Sequence, residues 1–332
     1  MPLGRVTMED VAKRAGVSRA LVSIVFRGVP GASDATRARV LAAARELDYR
    51  PDTRASRLGR SRTRTLGVVF SVGHAFHGDL IESLYVEAES AGYEVVLSGV
   101  TPQRSEDHAV ETLLAERCEA LLLLGSTLPG WRLSALAERL PVVSVLRPVR
   151  AAGVDVVRTD DANGMRQVVE HLVGLGHQHI ALLDGGSAAG ASQRRQGFRS
   201  AHRRLLADAP ELILGGLTEE EGADAAYAYL DRGEARPTAV AAFNDRCALG
   251  FIDVVRQAGL TVPGDVSVVG FDDIRQAAYR HVGLTTVHQD AQQLGAHALT
   301  RVAARLEGDE PEAQEVVVEP ALVVRHSTAP PR

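Results

Sequence analysis

From Leu66 to Asp272 the chain repeats one pattern: a short apolar run, a turn, and a longer stretch of helical period. The runs are LGVVFSV (66–72), YEVVLSG (93–99), ALLLLG (120–125), PVVSVL (141–146), HIALLD (179–184), TAVAAF (238–243) and VSVVGFD (266–272). Between and beyond them lie apolar stripes such as Leu80, Leu84, Ala88 and Ala91, or Leu294, Ala298, Val302 and Leu306. Strands without polar alternation offer water no face, so the pattern predicts parallel sheets covered by helices on both sides. Such sheets hold ligands beyond the carboxyl ends of their strands. A length of 332 residues exceeds what one core serves, which predicts several domains or one large two-lobed domain.

The N-terminal segment is of another kind. Residues 1–64 carry 14 Lys/Arg and 6 Asp/Glu, a net of +8, on a remainder of net −13. A compact basic segment on an acidic body is the footprint of a phosphate-binding head. It is not a mere basic tail, because helix caps and apolar periodicity recur in it. Thr7 is placed to cap a first helix, with Asp10 completing a variant capping box and Val11, Ala12 and Ala15 inward. Ser18 is placed to cap a second helix ending near Phe26, with Leu21, Val22 and Val25 inward. Ser33 heads a third, in which Val40, Leu41, Ala44 and Leu47 recur at helical spacing. Small Ala12, the turn at Gly16 and the plug Val22 form the helix-turn-helix pattern, whose second helix enters the major groove. Pro51 then stops the third helix. Asp52 or Thr53 can cap a short further one, and Gly59 can end it. So short a helix is marginal in isolation, and a flexible Arg-rich linker is the alternative.

The run VTMEDVAKRAGVSRALVSIVFRG, followed by VLAAARELDYRP, closely resembles the reading head of the lactose-repressor/galactose-repressor family of bacterial transcriptional regulators. The resemblance implies that Arg19, Ala20 and Ile24 face bases, while Thr7, Ser18 and Ser23 lie near phosphates or groove edges. It implies that Leu58 wedges into the minor groove, with Ala55 on the same face. Arg57 lies nearby, although Ser56 stands where the family usually has Arg. Leu21 and Ile24 also depart, from the commoner Thr and Arg. Without that Arg a bidentate guanine contact is lost, and an apolar contact such as a thymine methyl is favoured.

The body continues the resemblance: EHLVGLGHQHIALLDG, RRQGF, AFNDRCALG, GLTVPGDVSVVGFDD and LTTVHQD fall in family order. The implied fold is α/β, a small all-α helix-turn-helix head plus a two-lobed periplasmic-binding-protein-like parallel-sheet domain. The implied divisions are 1–50 for the head, 51–61 for the hinge and 62–332 for an effector-binding and dimerisation domain, with crossovers near 159–161 and 284–290. Carried over by motif, Phe76, Arg147, Asp161, Arg194, Phe243, Asn244, Asp272 and Gln289 line the cleft between lobes. Arg, Asn and carboxylate groups offer directed donors and acceptors to a polyhydroxylated ligand. Arg194 and Asp272 are expected to grip one small molecule; an internal ion pair is the competing expectation. Two departures bear on that ligand. His74, Ala75, Phe76 and His77 replace Asn-Pro-Phe-Phe, and Leu146-Arg147 replaces Asp-Arg, which removes an acceptor for sugar hydroxyls. A sugar-like effector is expected, with a nucleoside or phosphorylated metabolite left open. The further partners implied are a near-palindromic double-stranded operator and a second copy of the chain in a homodimer.

Two other classes compete with a regulator. A solute-binding protein sharing the body's fold needs an export signal, and MPLGRVTMED has no apolar core or cleavage site. An α/β enzyme acting on a sugar or nucleoside needs reactive groups. GGSAAGAS (185–192) has Ala191 where a phosphate loop has Lys, and no Gly-x-Ser-x-Gly or His-Glu-x-x-His appears. His171, His177 and His179 are expected to be structural and not metal ligands, and one of Asp272 and Asp273 likewise. Cys118 and Cys247 lack metal-like spacing and read as buried thiols of a reducing cytosol. No stretch approaches the roughly 20 apolar residues of a membrane span. A cytoplasmic protein that needs no metal or cofactor is expected.

Overall fold

The computed structural model describes residues 6–49, 62–309 and 314–332. The chain divides into two compact units, Met1–Thr63 and Arg64–Arg332. In the first, α1 (Met8–Ala15), α2 (Arg19–Arg27) and α3 (Asp34–Glu46) follow one another with short turns. Local chemistry sets their ends. Thr7 Oγ1 accepts the Asp10 N–H at 3.3 Å while the Asp10 carboxylate accepts the Thr7 N–H at 2.9 Å. Ser18 and Ser33 cap α2 and α3. Gly16 ends α1 at φ 62°, a left-handed conformation that glycine adopts without a Cβ penalty. Val11, Ala12, Ala15, Val22, Val25, Val40, Ala43 and Ala44 form the core. Two inward expectations need correction. Leu41 is 39% exposed, off the buried stripe of Val40, Ala43 and Ala44, and Leu21 is half-buried. Arg37, on α3, donates from Nη1 to the Val25 carbonyl at 3.2 Å and so satisfies the end of α2.

The second unit holds two sheets, each of six strands among the described residues. The first consists of β1 (Thr65–Ser71), β2 (Glu94–Val100), β3 (Ala120–Leu124), β4 (Val142–Val145), β5 (Val154–Thr159) and β11 (Glu315–Val318), in the order β2-β1-β3-β4-β5-β11, all parallel. The second consists of β6 (Ile180–Asp184), β7 (Glu211–Leu214), β8 (Ala239–Ala242), β9 (Ser267–Asp272), β10 (Thr285–His288) and β12 (Ala321–Val323), in the order β7-β6-β8-β9-β10-β12. There β12 alone among the described strands runs antiparallel to its neighbour.

Each sheet is covered on both faces, as its unbroken apolar strands require. Helices α4 (Ala75–Ser90) and α11 (Ala291–Glu307) close one side of the first, around Leu66, Val68, Leu80, Leu294 and Ala298. Helices α5 (Glu106–Ala115) and α6 (Gly130–Ala137) close the other, around Leu113, Leu121, Leu123 and Leu136. On the second sheet, α7 (Asp161–Gly174) and α8 (Ala191–Leu205) cover one side, and α9 (Glu219–Leu230) and α10 (Asp245–Gln257) the other. The chain passes between sheets at 159–161, returns at 288–291, and crosses once more between β11 and β12. That third passage was not expected from the sequence.

Candidate functional site

In each sheet the strand order reverses once: between β1 and β3, and between β6 and β8. Loops leaving neighbouring strands diverge at such a point and open a crevice, which is where doubly wound sheets bind ligands. The loops after β6 and β8 lead to Arg194 on α8 and to Phe243 and Asn244 ahead of α10. Those after β1 and β3 carry His74 and Gly125–Ser126. The two reversal points meet. A Cβ placed on Gly125 would lie 3.4 Å from Ala189 Cβ and 3.5 Å from His77 Nε2. Arg246 of α10 also donates to the Gly73 carbonyl.

The second-lobe wall is a connected network. Arg194 is 5% exposed and lies between two rings, its guanidinium carbon 3.6 Å from the centre of Phe271 and 4.6 Å from that of Phe243. Its Nε donates to Asp161 Oδ1 at 2.8 Å, its Nη1 to the Phe243 carbonyl at 2.6 Å, and its Nη2 lies 3.5 Å from Asp272 Oδ1. Gln289 Nε2 donates to the same Asp272 oxygen at 2.7 Å, and Thr159 Oγ1 donates to Gln289 Oε1 at 2.6 Å. Two chain crossovers, 159–161 and 288–291, are therefore tied through this one cluster.

One guanidinium here faces two buried carboxyls. Burial raises the Asp161 carboxyl despite Arg194, and pushes Asp272 up to about 7. Asp272 has φ 110°, a backbone region that residues with a Cβ rarely occupy, so strain is stored at this position. Its neighbour Asp273 is bound elsewhere, by Arg325 Nη2 at 2.6 Å and His288 Nδ1 at 3.1 Å.

The first-lobe wall is built differently. The His74 and His77 rings stack at 4.3 Å and 9°. His77, 2% exposed, accepts the Ser71 N–H on Nδ1 at 3.0 Å, so the neutral ring carries its proton on Nε2. No partner among the described residues accepts that proton. Burial, then Arg194 and Arg246, holds His74 down at about 4; burial, then His74, holds His77 well below the ordinary imidazole value.

Among the expected cleft residues, Asp161, Arg194, Phe243, Asp272 and Gln289 come together. Asn244 stands beside them, but its side chain caps α10 through the Cys247 N–H and donates to the Leu217 carbonyl. Arg147 lies on the opposite wall, with Nη1 on the Ser126 carbonyl at 2.9 Å. Phe76 departs from expectation: it is 1% exposed, packed in the first-lobe core with Leu80 and Leu124. Leu146 also joins that core, at φ 72°. Thr159 and His77 went unassigned in the sequence. A histidine in a segment the family fills with aromatics was the available signal for His77; Thr159 had none. His171 and His177 hold the C-terminal segment, through Thr328 Oγ1 and the Ala329 carbonyl.

On the head, the outward side of α2 presents exposed Arg19 and Ala20, with Ser23 and Ile24 half-buried beside them. Ile24 borders the following loop, 3.5 Å from where a Cβ on Gly31 would sit. The Thr7 and Ser18 hydroxyls are used as caps. Ala55, Arg57 and Leu58 lie outside the described residues.

Residues 7–52 match the bacterial regulatory proteins of the lacI family, and residues 169–328 a periplasmic binding protein-like domain. The HTH-type transcriptional regulator DegA of Bacillus subtilis (strain 168) is 31% identical over 335 residues, 98% of this chain and 99% of that protein. The chain belongs to the lacI family. Its head is the DNA-binding helix-turn-helix and its body the effector-binding domain of a transcriptional regulator. Solved structures agree with this lacI-family assignment. A LacI transcriptional regulator from Rhodococcus species is 44% identical with a TM-score of 0.77, over 80% of this chain and 98% of that one. The Lac repressor dimer bound to operator and the anti-inducer ONPF is 30% identical with a TM-score of 0.80, over 98% and 99%. Among the described residues, no helix is long and apolar enough to cross a membrane.

Proposed function

We propose that this regulator is a repressor that binds a near-palindromic operator as a homodimer, and that a sugar-like metabolite between the lobes sets its operator affinity. The cleft takes the metabolite as a signal and not as a substrate, and the protein acts in the cytoplasm. The observation that carries the reading is the chain of bonds Thr159–Gln289–Asp272–Arg194–Asp161. Asp272 uses Oδ1 for Gln289 and Arg194, which leaves Oδ2 for a ligand hydroxyl, as acceptor when the carboxyl is ionised and as donor when it is protonated. A ligand there acts on groups bonded to two crossovers, so its binding energy differs between lobe arrangements, as allosteric coupling requires. One recognition helix reads few base pairs, and two-fold protein symmetry matches two-fold DNA symmetry.

Selection of duplexes from a random pool by the full chain is expected to return an inverted repeat. A single unpaired half-site, or no enrichment, overturns the dimeric operator reading. Titration of that duplex with and without a panel of sugars reads the coupling. Asp272→Asn is expected to keep operator binding and lose the response, and an unchanged response rejects the cleft as the effector site.

A further inference from the structure

We propose that the first-lobe wall of the cleft is built for an anionic oxygen group, carboxylate or phosphate, at one end of a polyhydroxylated effector, received by His77 Nε2–H and Arg147. This deepens the cleft reading above and rests on it. The His77 donor is fixed rather than incidental. Its tautomer is set by the Ser71 N–H on Nδ1, its ring is held by the stack on His74, and its Nε2 points to the Gly125 turn, where Ala189 of the other lobe approaches. A buried donor without an acceptor is destabilising, and a ligand supplying the acceptor removes that cost.

The same turn offers further donors. Arg147 gives one nitrogen to the Ser126 carbonyl, and its Nε and Nη2 meet no protein oxygen among the described residues. Ser126 is 3% exposed; its oxygen accepts the Leu128 N–H at 3.3 Å, and its proton is given to no protein acceptor among the described residues. Leu146 stands in the apolar core just before Arg147, and the one carboxylate that binds this turn, Glu106, takes the Thr127 N–H and O–H on one oxygen, both at 2.8 Å, while its other oxygen is buried without a partner among the described residues. The formal charges that act on His74 are the cations Arg194 and Arg246.

A hydroxyl needs both a donor and an acceptor partner, whereas carboxylate and phosphate oxygens only accept. The wall therefore matches an acceptor-only group. Asp272 Oδ2, on the opposite wall, can accept or donate and so matches hydroxyls at the ligand's other end.

The test is thermal stabilisation of the full chain by inorganic phosphate against sodium chloride of equal ionic strength. Matched D-glucose, D-gluconate and D-glucose 6-phosphate follow, then the same series for galactose and fructose. The basic head also attracts phosphate, so the readout is the difference between wild type and His77→Phe, with the melting temperature of each variant in chloride as the folding control. Wild type is expected to be stabilised by phosphate and by a sugar acid or sugar phosphate. Affinity should fall about tenfold or more in His77→Phe and in Arg147→Gln, and be largely restored in His77→Gln, whose amide N–H replaces Nε2–H. Response to the acids or to the phosphates distinguishes carboxylate from phosphate. Equal stabilisation of wild type and His77→Phe by every anion overturns the proposal, as does stabilisation by uncharged sugars alone. In the second case, loss of the sugar response in Asp272→Asn shows that the cleft reading survives. No response to sugar or anion, with Asp272→Asn indistinguishable from wild type, rejects both.

Discussion

The two walls of the cleft are made of comparable polar residues and treat them in opposite ways. On the second-lobe wall every ionisable group has a protein partner: Arg194 is bound on three nitrogens, and Asp161 and Asp272 share it. On the first-lobe wall the donors of His77 and Arg147 are left over. A wall whose groups are bonded to one another, with only Asp272 Oδ2 left for a ligand, contributes rigidity and a mechanical link to the crossovers. A wall with donors to spare contributes recognition. The difference separates the part of the cleft that transmits from the part that chooses.

The largest test of that division is Arg194→Ala. Its removal leaves two buried carboxyls without a counter-charge, and breaking a buried pair from one side costs about 3–5 kcal/mol. Urea denaturation of the body should register a loss of that order, together with loss of any effector response. Such a loss is what the internal ion pair, the competing expectation from the sequence, requires. A body as stable as wild type would mean that Arg194 belongs with the choosing wall. Thr159→Val is the milder cut in the same chain of bonds. It deletes one neutral hydrogen bond across the crossovers, about 1 kcal/mol. Operator affinity without ligand should be nearly unchanged, while the ligand-induced change in affinity shrinks. An intact ligand-induced change would show that coupling runs through other contacts.

What was legible beforehand follows the range of the interactions. Thr7, Ser18 and Ser33 were readable as caps because a cap and its helix lie within three residues. The sheet strands were readable because a buried parallel strand must be apolar throughout. Leu41 was misplaced because adjacent residues near the edge of a helical stripe compete for the core, and α2 and α1 decide between them. The Thr159–Gln289 bond spans 130 residues, and no local pattern encodes it. Family motifs named Arg194 and Asp272, yet neither motif indicated that Phe271 and Phe243 would enclose the guanidinium. The departures from the family were visible as letters. The orphaned Nε2–H of His77 became visible only once Ser71 had fixed the tautomer.

The most gradual expected effect concerns pH, because the two walls act with opposite sign. The histidines of the first wall have folded values below the unfolded one near 6.5, about 4 for His74 and well below ordinary for His77. As pH falls through 6.5 the unfolded chain takes up protons that the folded chain does not, so these residues withdraw stability on acidification. Asp272 behaves in reverse. Its folded value is about 7, against 3.8 for an ordinary Asp, so between pH 7 and 4 the folded chain holds a proton the unfolded chain lacks, and stability is added on acidification. The contributions offset each other in wild type across pH 4–6.5. The variants should uncover them: Asp272→Asn makes the body lose stability more steeply as pH falls from 7 to 4, and His77→Gln makes it lose stability less steeply below 6.5. Each proton changes the slope by at most about 1.4 kcal/mol per pH unit, which urea midpoints at half-unit pH steps resolve. Shifts of the same sign in both variants would remove the electrostatic half of the contrast between the walls and leave it resting on hydrogen-bond geometry.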